Sequence, residues 1–257
     1  MTDHNIPWHH LRLPAGSTKL FTGIVGSHSH GTNIPPTDPM GTDDVDVVAI
    51  VLPPPALSLG IDSWDHTQQW ANEFDITCYS LQKFIGLLAK SNPNVLSLLF
   101  LPDDCRISES PEWDHLIRNR GLFLTKEAYN SFAGYANGQL KRMTHSAYNG
   151  YMGDRRKAIV DEIGYDTKNA AHLIRLLRMG IEFLTEGELY VKRQDATQLL
   201  EIKHGEWTLD KVKAEADKLF ALAEESYVRS SLPNDTNTDA VNCLLVSILE
   251  NRFGSRP

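Results

Sequence analysis

Two carboxylates one residue apart, in Asp44-Val45-Asp46, stand 17 positions beyond a glycine–serine step, Gly26-Ser27. In Asp44-Val45-Asp46-Val47-Val48-Ala49-Ile50-Val51 the strand period of two puts both aspartates on one face and Val45, Val47 and Ala49 on the other. Like charges held side by side repel unless a cation lies between them. Paired hard oxygen ligands suit Mg²⁺, which usually shares its shell with the phosphates of a substrate. Gly26 ends the apolar run from Lys19 to Val25, where a loop or a helix start is expected. A glycine there allows close backbone approach to an anion, and a serine hydroxyl can donate to a phosphate oxygen. Alone, a Gly-Ser step reads equally well as a turn.

A third carboxylate comes from Glu73-Phe74-Asp75-Ile76-Thr77-Cys78-Tyr79. The alternation there sets Phe74, Ile76 and Cys78 on one face and Glu73, Asp75 and Thr77 on the other. If this strand neighbours the first, Asp44, Asp46 and Asp75 converge as a metal-binding cage. Two of them could hold Mg²⁺ and the third could orient or deprotonate a hydroxyl. Three solvated aspartates at strand edges are the plain alternative. Asp43 is assigned to the preceding turn. A cationic counterpart lies far downstream, where Lys168, His172 and Arg175 fall at i, i+4 and i+7 on one helix face. Such a column can hold a triphosphate by charge-assisted hydrogen bonds, or be an ordinary solvated face. Lys141-Arg142 and Arg155-Arg156-Lys157 carry the same ambiguity. His9-His10, His28 and His30 have no partners at zinc-site spacing, so His28 and His30 are read as shaping the loop after the first strand. No Gly-x-Ser-x-Gly elbow is present, and Ser27 has no evident base.

These groups need elements to position them. The first ~120 residues alternate strand and helix signals. Ser80 reads as an N-cap for a helix through Leu81, Phe84, Ile85 and Leu88, and Asn92-Pro93-Asn94 precedes a short buried helix from Val95 to Leu101. From about residue 125 the pattern is helical. Ala128, Phe132, Tyr135, Leu140 and Met143 form one stripe. A second runs from Ala170 through Leu173, Ile174, Leu177, Ile181 and Leu184 to a stop at Gly187, and a third from Leu209 to Ala223 behind Thr208. Ala240 to Leu249 make a last helix. The expected architecture is α+β, a mixed sheet with flanking helices over residues 1–122 followed by a helical domain over 123–257, the boundary falling near 118–126.

The chain has 257 residues, a net charge of −8 and three cysteines. The widely spaced, odd-numbered cysteines argue against a disulfide framework and for a reducing compartment. No apolar run reaches membrane-span length and no secretory pattern opens the chain, so a cytoplasmic location is expected. Residues 1–120 hold 7 Lys and Arg against 14 Asp and Glu, while residues 141–193 hold 10 against 7. An acidic first half beside a locally basic middle fits a metal site facing a phosphate site, and fits poorly with a broad duplex-binding surface.

The order of these motifs resembles the DNA polymerase β nucleotidyltransferase superfamily, and more closely its RlaP-like minimal members of bacteria and bacteriophages. The likeness rests on Val25 to Gly31, Thr42 to Asp46, Glu73-Phe74-Asp75, Asn92 to Leu96 and Lys168 to Leu177. It implies a site between sheet and helical domain, in which an acceptor hydroxyl attacks the α-phosphorus of a nucleoside triphosphate and pyrophosphate leaves. Asp44 and Asp46 would hold two Mg²⁺ ions (Mn²⁺ being an alternative), with Asp75 completing the acceptor-side metal and helping to deprotonate the nucleophile. Gly26 and Ser27 would grip the outgoing phosphates, and Lys168, His172 and Arg175 would approach from the second domain. The implied acceptor is an RNA 3′ end, a protein or a small molecule, and a nucleotide-binding module without turnover is the alternative from another class. Neither base preference nor oligomeric state is legible. The spacer from Ser27 to Asp44 is longer than such families usually carry, and its Pro-rich part, Asn33 to Gly41, reads more readily as a tolerated surface insertion than as an acceptor contact.

Overall fold

The computed structural model describes residues 3, 6–41, 44–144 and 153–254, apart from the Arg155 side chain. The Asp43 reading, which falls on the turn before the first carboxylate, lies outside them. Five strands form one mixed sheet: β1 (Thr18–Ile24), β2 (Val45–Leu52), β3 (His66–Ala71), β4 (Phe74–Ser80) and β5 (Arg106–Glu109), in the order β3-β4-β2-β1-β5. β2 and β4 run parallel at the centre, and the remaining neighbours are antiparallel. Between them lie α1 (Gly26–His30), α2 (Pro55–Ser58), α3 (Leu81–Leu88), α4 (Pro93–Leu96) and α5 (Pro111–Arg118). The rest is helical: α6 (Glu127–Thr144), α7 (Asp154–Ile163), α8 (Thr167–Glu186), α9 (Ala196–Lys203), α10 (Leu209–Arg229) and α11 (Thr238–Phe253). The α+β reading therefore holds. Among the described residues no helix is long and apolar enough to cross a membrane.

The two sheet faces bury different partners. Val47, Ala49, Phe74, Ile76 and Cys78 pack under the N-terminal segment with Ile6 and Leu11. Ile50 and Leu52, on the aspartate face of β2, enter the main core with Phe84 and the helical residues as far as Leu249. That core runs without a break from the sheet into α8 and α10, so one apolar cluster joins the two halves of the chain. A bulge at Leu20 shifts the β1–β2 register, and both Leu20 and Phe21 reach the main core. Phe21 then stacks on Trp113 of α5 with ring centroids 4.0 Å apart.

The expected caps form: the Ser80 side chain accepts from the Lys83 N–H and Thr208 from Lys211, while Gly187 closes α8 in the left-handed region. Asn92, read only as a break, also caps α4 by accepting from Asn94 and Val95. Three details differ from the sequence reading. The helix of Val95 to Leu101 is α4 followed by a tighter turn over Ser97–Phe100. The α6 stripe is Ala128, Phe132, Ala136, Gln139 and Met143, and Tyr135 instead faces outward, accepting from the Asn92 amide. β3 is a polar edge strand, exposed at alternate positions, so it carries no apolar alternation to mark it.

Candidate functional site

β1 ends at Ile24, and the chain turns at Gly26, whose φ of +64° lies in the left-handed region. A Cβ there would stand 1.8 Å from Asp46 Oδ2, so the turn and the carboxylate fit together only because residue 26 has no side chain. The Val25 N–H donates to the Asp46 carbonyl at 2.9 Å, continuing the β1–β2 ladder to the point where α1 begins. The Ser29 hydroxyl donates to the Gly26 carbonyl at 3.0 Å, and the Thr32 N–H to the Ser27 carbonyl at 2.9 Å. The Gly-Ser step thus opens a helix, fixed directly against the second aspartate.

In the parallel β2–β4 pair, Asp46 and Asp75 are register partners, so their side chains leave the same face of the sheet. The Asp46 carboxyl is raised from its ordinary pKa by burial first, is pulled down by Lys168, and is raised again by Asp75 and Asp44. Among the described residues no three His, Cys, Asp or Glu side chains form a closed metal-binding group. The donor set nevertheless fits a hard cation. Two or three carboxylates strain one another in a partly dry site, which suits an ion such as Mg²⁺ that completes its shell with water and phosphate oxygens. Asp75 does not line the cleft that Asp44 and Asp46 enter. The Gln68 amide of β3 donates to both of its oxygens at 3.0 Å, and Trp70, the β3 register partner of Asp75, is 62% exposed.

A cleft of about 430 Å³ faces these groups, with Gly26, Ser27, Asp44 and Asp46 on one side and Lys168, His172 and Arg175 of α8 on the other. α8 buries most of its length, and its polar column is graded, with Lys168 exposed at its start and His172 and Arg175 half-buried. Among the described residues, the buried Nε2 of His172 has no hydrogen-bond partner. Burial, then Arg175 and Lys168, hold the His172 pKa well below the imidazole range. Arg175 is pushed down to about 9 by burial and by Arg193, and remains charged at neutral pH. The hydrogen bond it makes within the protein goes from Nη1 to the Met179 sulfur at 3.2 Å, a weak acceptor. The helix face thus presents cationic and imidazole groups to the cleft with little internal compensation.

Further residues line the cleft, among them His30, Arg156 and Lys203. Lys203, at the end of α9, donates to the Thr32 carbonyl at 2.5 Å. Arg156 of α7 holds Asp166 at 2.7 Å, and Asp166 also caps α8 by accepting from the Asn169 N–H. His30 is buried, its Nδ1 2.9 Å from the Val191 carbonyl, and its own carbonyl accepts from the Arg193 N–H at 3.2 Å. It therefore joins α1 to the segment between α8 and α9, a longer reach than shaping its own loop. The Pro-rich spacer is exposed at Asn33, Pro35, Pro36, Thr37 and Pro39, as a surface insertion would be. Yet its Ile34, Met40 and Gly41 line the cleft, and a Cβ at Gly41 would meet the Pro35 carbonyl oxygen at 1.8 Å. A signal for α9 was present in the spacing of Leu199 and Ile202, but nothing marked Lys203 for this cleft.

The sequence matches the model of the RlaP family, described as the RNA repair pathway DNA polymerase beta family, over residues 15–247. No curated protein matches the chain. Among solved structures, a nucleotidyltransferase-like protein from Exiguobacterium sibiricum 255-15 is 14% identical. That similarity covers 93% of this chain and 76% of the other with a TM-score of 0.27, too loose to carry a comparison of residues. With nine-tenths of its length inside the family model, the chain belongs to the RlaP family of polymerase β-type nucleotidyltransferases.

Proposed function

We propose that the chain transfers a nucleoside monophosphate from a nucleoside triphosphate to an acceptor hydroxyl, with an RNA 3′ end as the acceptor. The observation that carries this reading is one nucleotide-sized cleft walled by Asp44 and Asp46 on one side and by Lys168, His172 and Arg175 on the other. Such a cleft suits a ligand that brings both phosphate charge and a metal's charge with it.

In this reading Asp44 and Asp46 hold Mg²⁺ together with triphosphate oxygens, and Asp75 serves the acceptor side. Bound Mg²⁺ would polarise the phosphoryl oxygens and offset the charge that develops on the leaving group. Gly26 and Ser27 receive the outer phosphates through backbone N–H groups and the hydroxyl, while Lys168, His172 and Arg175 hold them from α8. The acceptor oxygen bonds to the α-phosphorus as the bond to the bridging oxygen breaks, and pyrophosphate departs with that oxygen. Asp75 takes the acceptor proton, its two oxygens oriented by Gln68. The exposed Trp70 ring beside Asp75 favours an acceptor with a base to stack, which supports an RNA end over a protein hydroxyl.

The test is to incubate the protein with each α-labelled triphosphate, Mg²⁺ and separate pools of RNA, proteins and small alcohols. Label should enter RNA 3′ ends, with one pyrophosphate released per transfer, and Asp46→Asn should lower the rate at least about 100-fold. Label in the protein pool would reassign the acceptor. Nucleotide binding with no transfer to any pool would leave a binding module and end the enzymatic reading.

A further inference from the structure

Lys203 reaches the cleft from an element that carries no nucleotidyltransferase motif, and its surroundings do not account for its charge. Its ammonium donates to the Thr32 carbonyl at 2.5 Å and lies 3.4 Å from the Thr32 hydroxyl oxygen. Both are neutral acceptors. The charged groups that act on it are Lys168 and Arg175 of α8, which oppose its charge, and Asp46 of β2, which favours it. An ammonium has three N–H groups, and one remains once the Thr32 carbonyl and hydroxyl are both served. α9 thus extends the cationic wall of α8 around the cleft, and it does so at the root of the Pro-rich loop. The neighbouring His204 holds that same loop by a second tie, Nε2 to Asp38 Oδ2 at 3.4 Å.

We propose that Lys203 is a polyphosphate-binding residue that donates to the loop at Thr32 and to the substrate's phosphates at once, so that occupying the phosphate site also fixes the wall formed by Ile34, Met40 and Gly41. The inference rests on the nucleotide reading of the cleft and adds to Ser27, Lys168, His172 and Arg175 a fifth phosphate-binding side chain from a separate helix. It also gives the long spacer a role: its position follows the charge state of the cleft through one side chain.

The probe is inorganic tripolyphosphate, which has the charge but neither base nor sugar, with binding followed by calorimetry in Mg²⁺ and again in EDTA. Lys203→Gln keeps a donor for the Thr32 carbonyl and removes the charge. It should weaken tripolyphosphate about 10- to 100-fold, the usual range for a lost charge-assisted bond. Lys203→Arg keeps the charge and should stay within about threefold of the parent. His204→Ala cuts the other loop tie, together with the Nδ1 bond to the Leu200 carbonyl, and should change affinity less than about twofold. Thermal melts of all three variants check that the fold is retained. Parent-like affinity in Lys203→Gln would overturn the proposal. Equal weakening in Lys203→Gln and His204→Ala would also overturn it, since Lys203 would then act only by holding the loop. If the parent itself binds neither tripolyphosphate nor any nucleoside triphosphate, the broader reading of the cleft falls with it, an outcome distinct from the other two.

Discussion

At Gly26 backbone and carboxylate occupy nearly the same space. The φ is left-handed, and a Cβ at this position would stand only 1.8 Å from Asp46 Oδ2, which leaves no room for a methyl group. Gly26→Ala should therefore displace the Asp46 side chain or the start of α1. The expected cost is about 1–3 kcal/mol of stability, seen as a lower urea midpoint, together with a loss of transfer larger than that destabilisation explains. Lys203 gives a pH signature. Burial first, then Lys168 and Arg175, push its pKa down to about 8, and only Asp46 opposes them. A phosphate bound to the ammonium favours the charged form, so tripolyphosphate affinity should be greatest below about pH 8 and fall as the pH rises through that value. In Lys203→Arg the part of this slope that comes from residue 203 should vanish, because a guanidinium stays protonated. A slope unchanged in that variant would assign the titration to another group.

At the scale of elements, an edge strand and a buried ion pair do the positioning. β3 contributes no buried apolar stripe, but it carries Gln68, which holds both oxygens of Asp75. Gln68→Ala should lower kcat about tenfold and leave the triphosphate KM nearly unchanged, since the lost bonds orient an acceptor-side group. An equal change in KM would place Asp75 on the nucleotide side. Between α8 and α9, Arg193 is 3% exposed at its side chain and donates to Glu182 at 2.6 Å and to Asp195 at 2.8 Å. Its backbone N–H also holds the His30 carbonyl. Removing the guanidinium leaves the partly buried Glu182 without that partner, while Arg178 still holds Asp195 at 2.6 Å, so Arg193→Met should cost about 3 kcal/mol in urea unfolding. A variant that lost less than about 1 kcal/mol would show the network to be no more than a surface ion pair.

Across the whole molecule, one core joins the sheet to the helices, and the histidines sealed at that junction tie stability to pH. His30 and His172 both have pKa values well below the ordinary range, chiefly through burial. The unfolded chain takes up protons at these positions near pH 6.5 and the folded chain does not, so stability is lost as the pH falls below that value, by up to about 1.4 kcal/mol per unit for each histidine. Thermal unfolding at pH 7.5 and 5.5 should show the loss. His172→Gln should reduce it, and tripolyphosphate should offset it by favouring the charged imidazole. The family was legible because its motifs are residue types at local spacing: the alternation about Asp44, Asp46 and Asp75, the turn at Gly26-Ser27, and the helical row of α8. Lys203, Gln68 and the Pro-rich wall were not, since a lone lysine at a helix end, a glutamine on a polar strand and a proline-rich spacer have the same local pattern wherever they lie. By itself the sequence determined the fold class and the charged rows of β2 and α8, because period and residue type act over a few positions. Only the tertiary structure decided which distant elements close around those groups, because that depends on how α8 and α9 pack against the sheet across more than a hundred residues of chain.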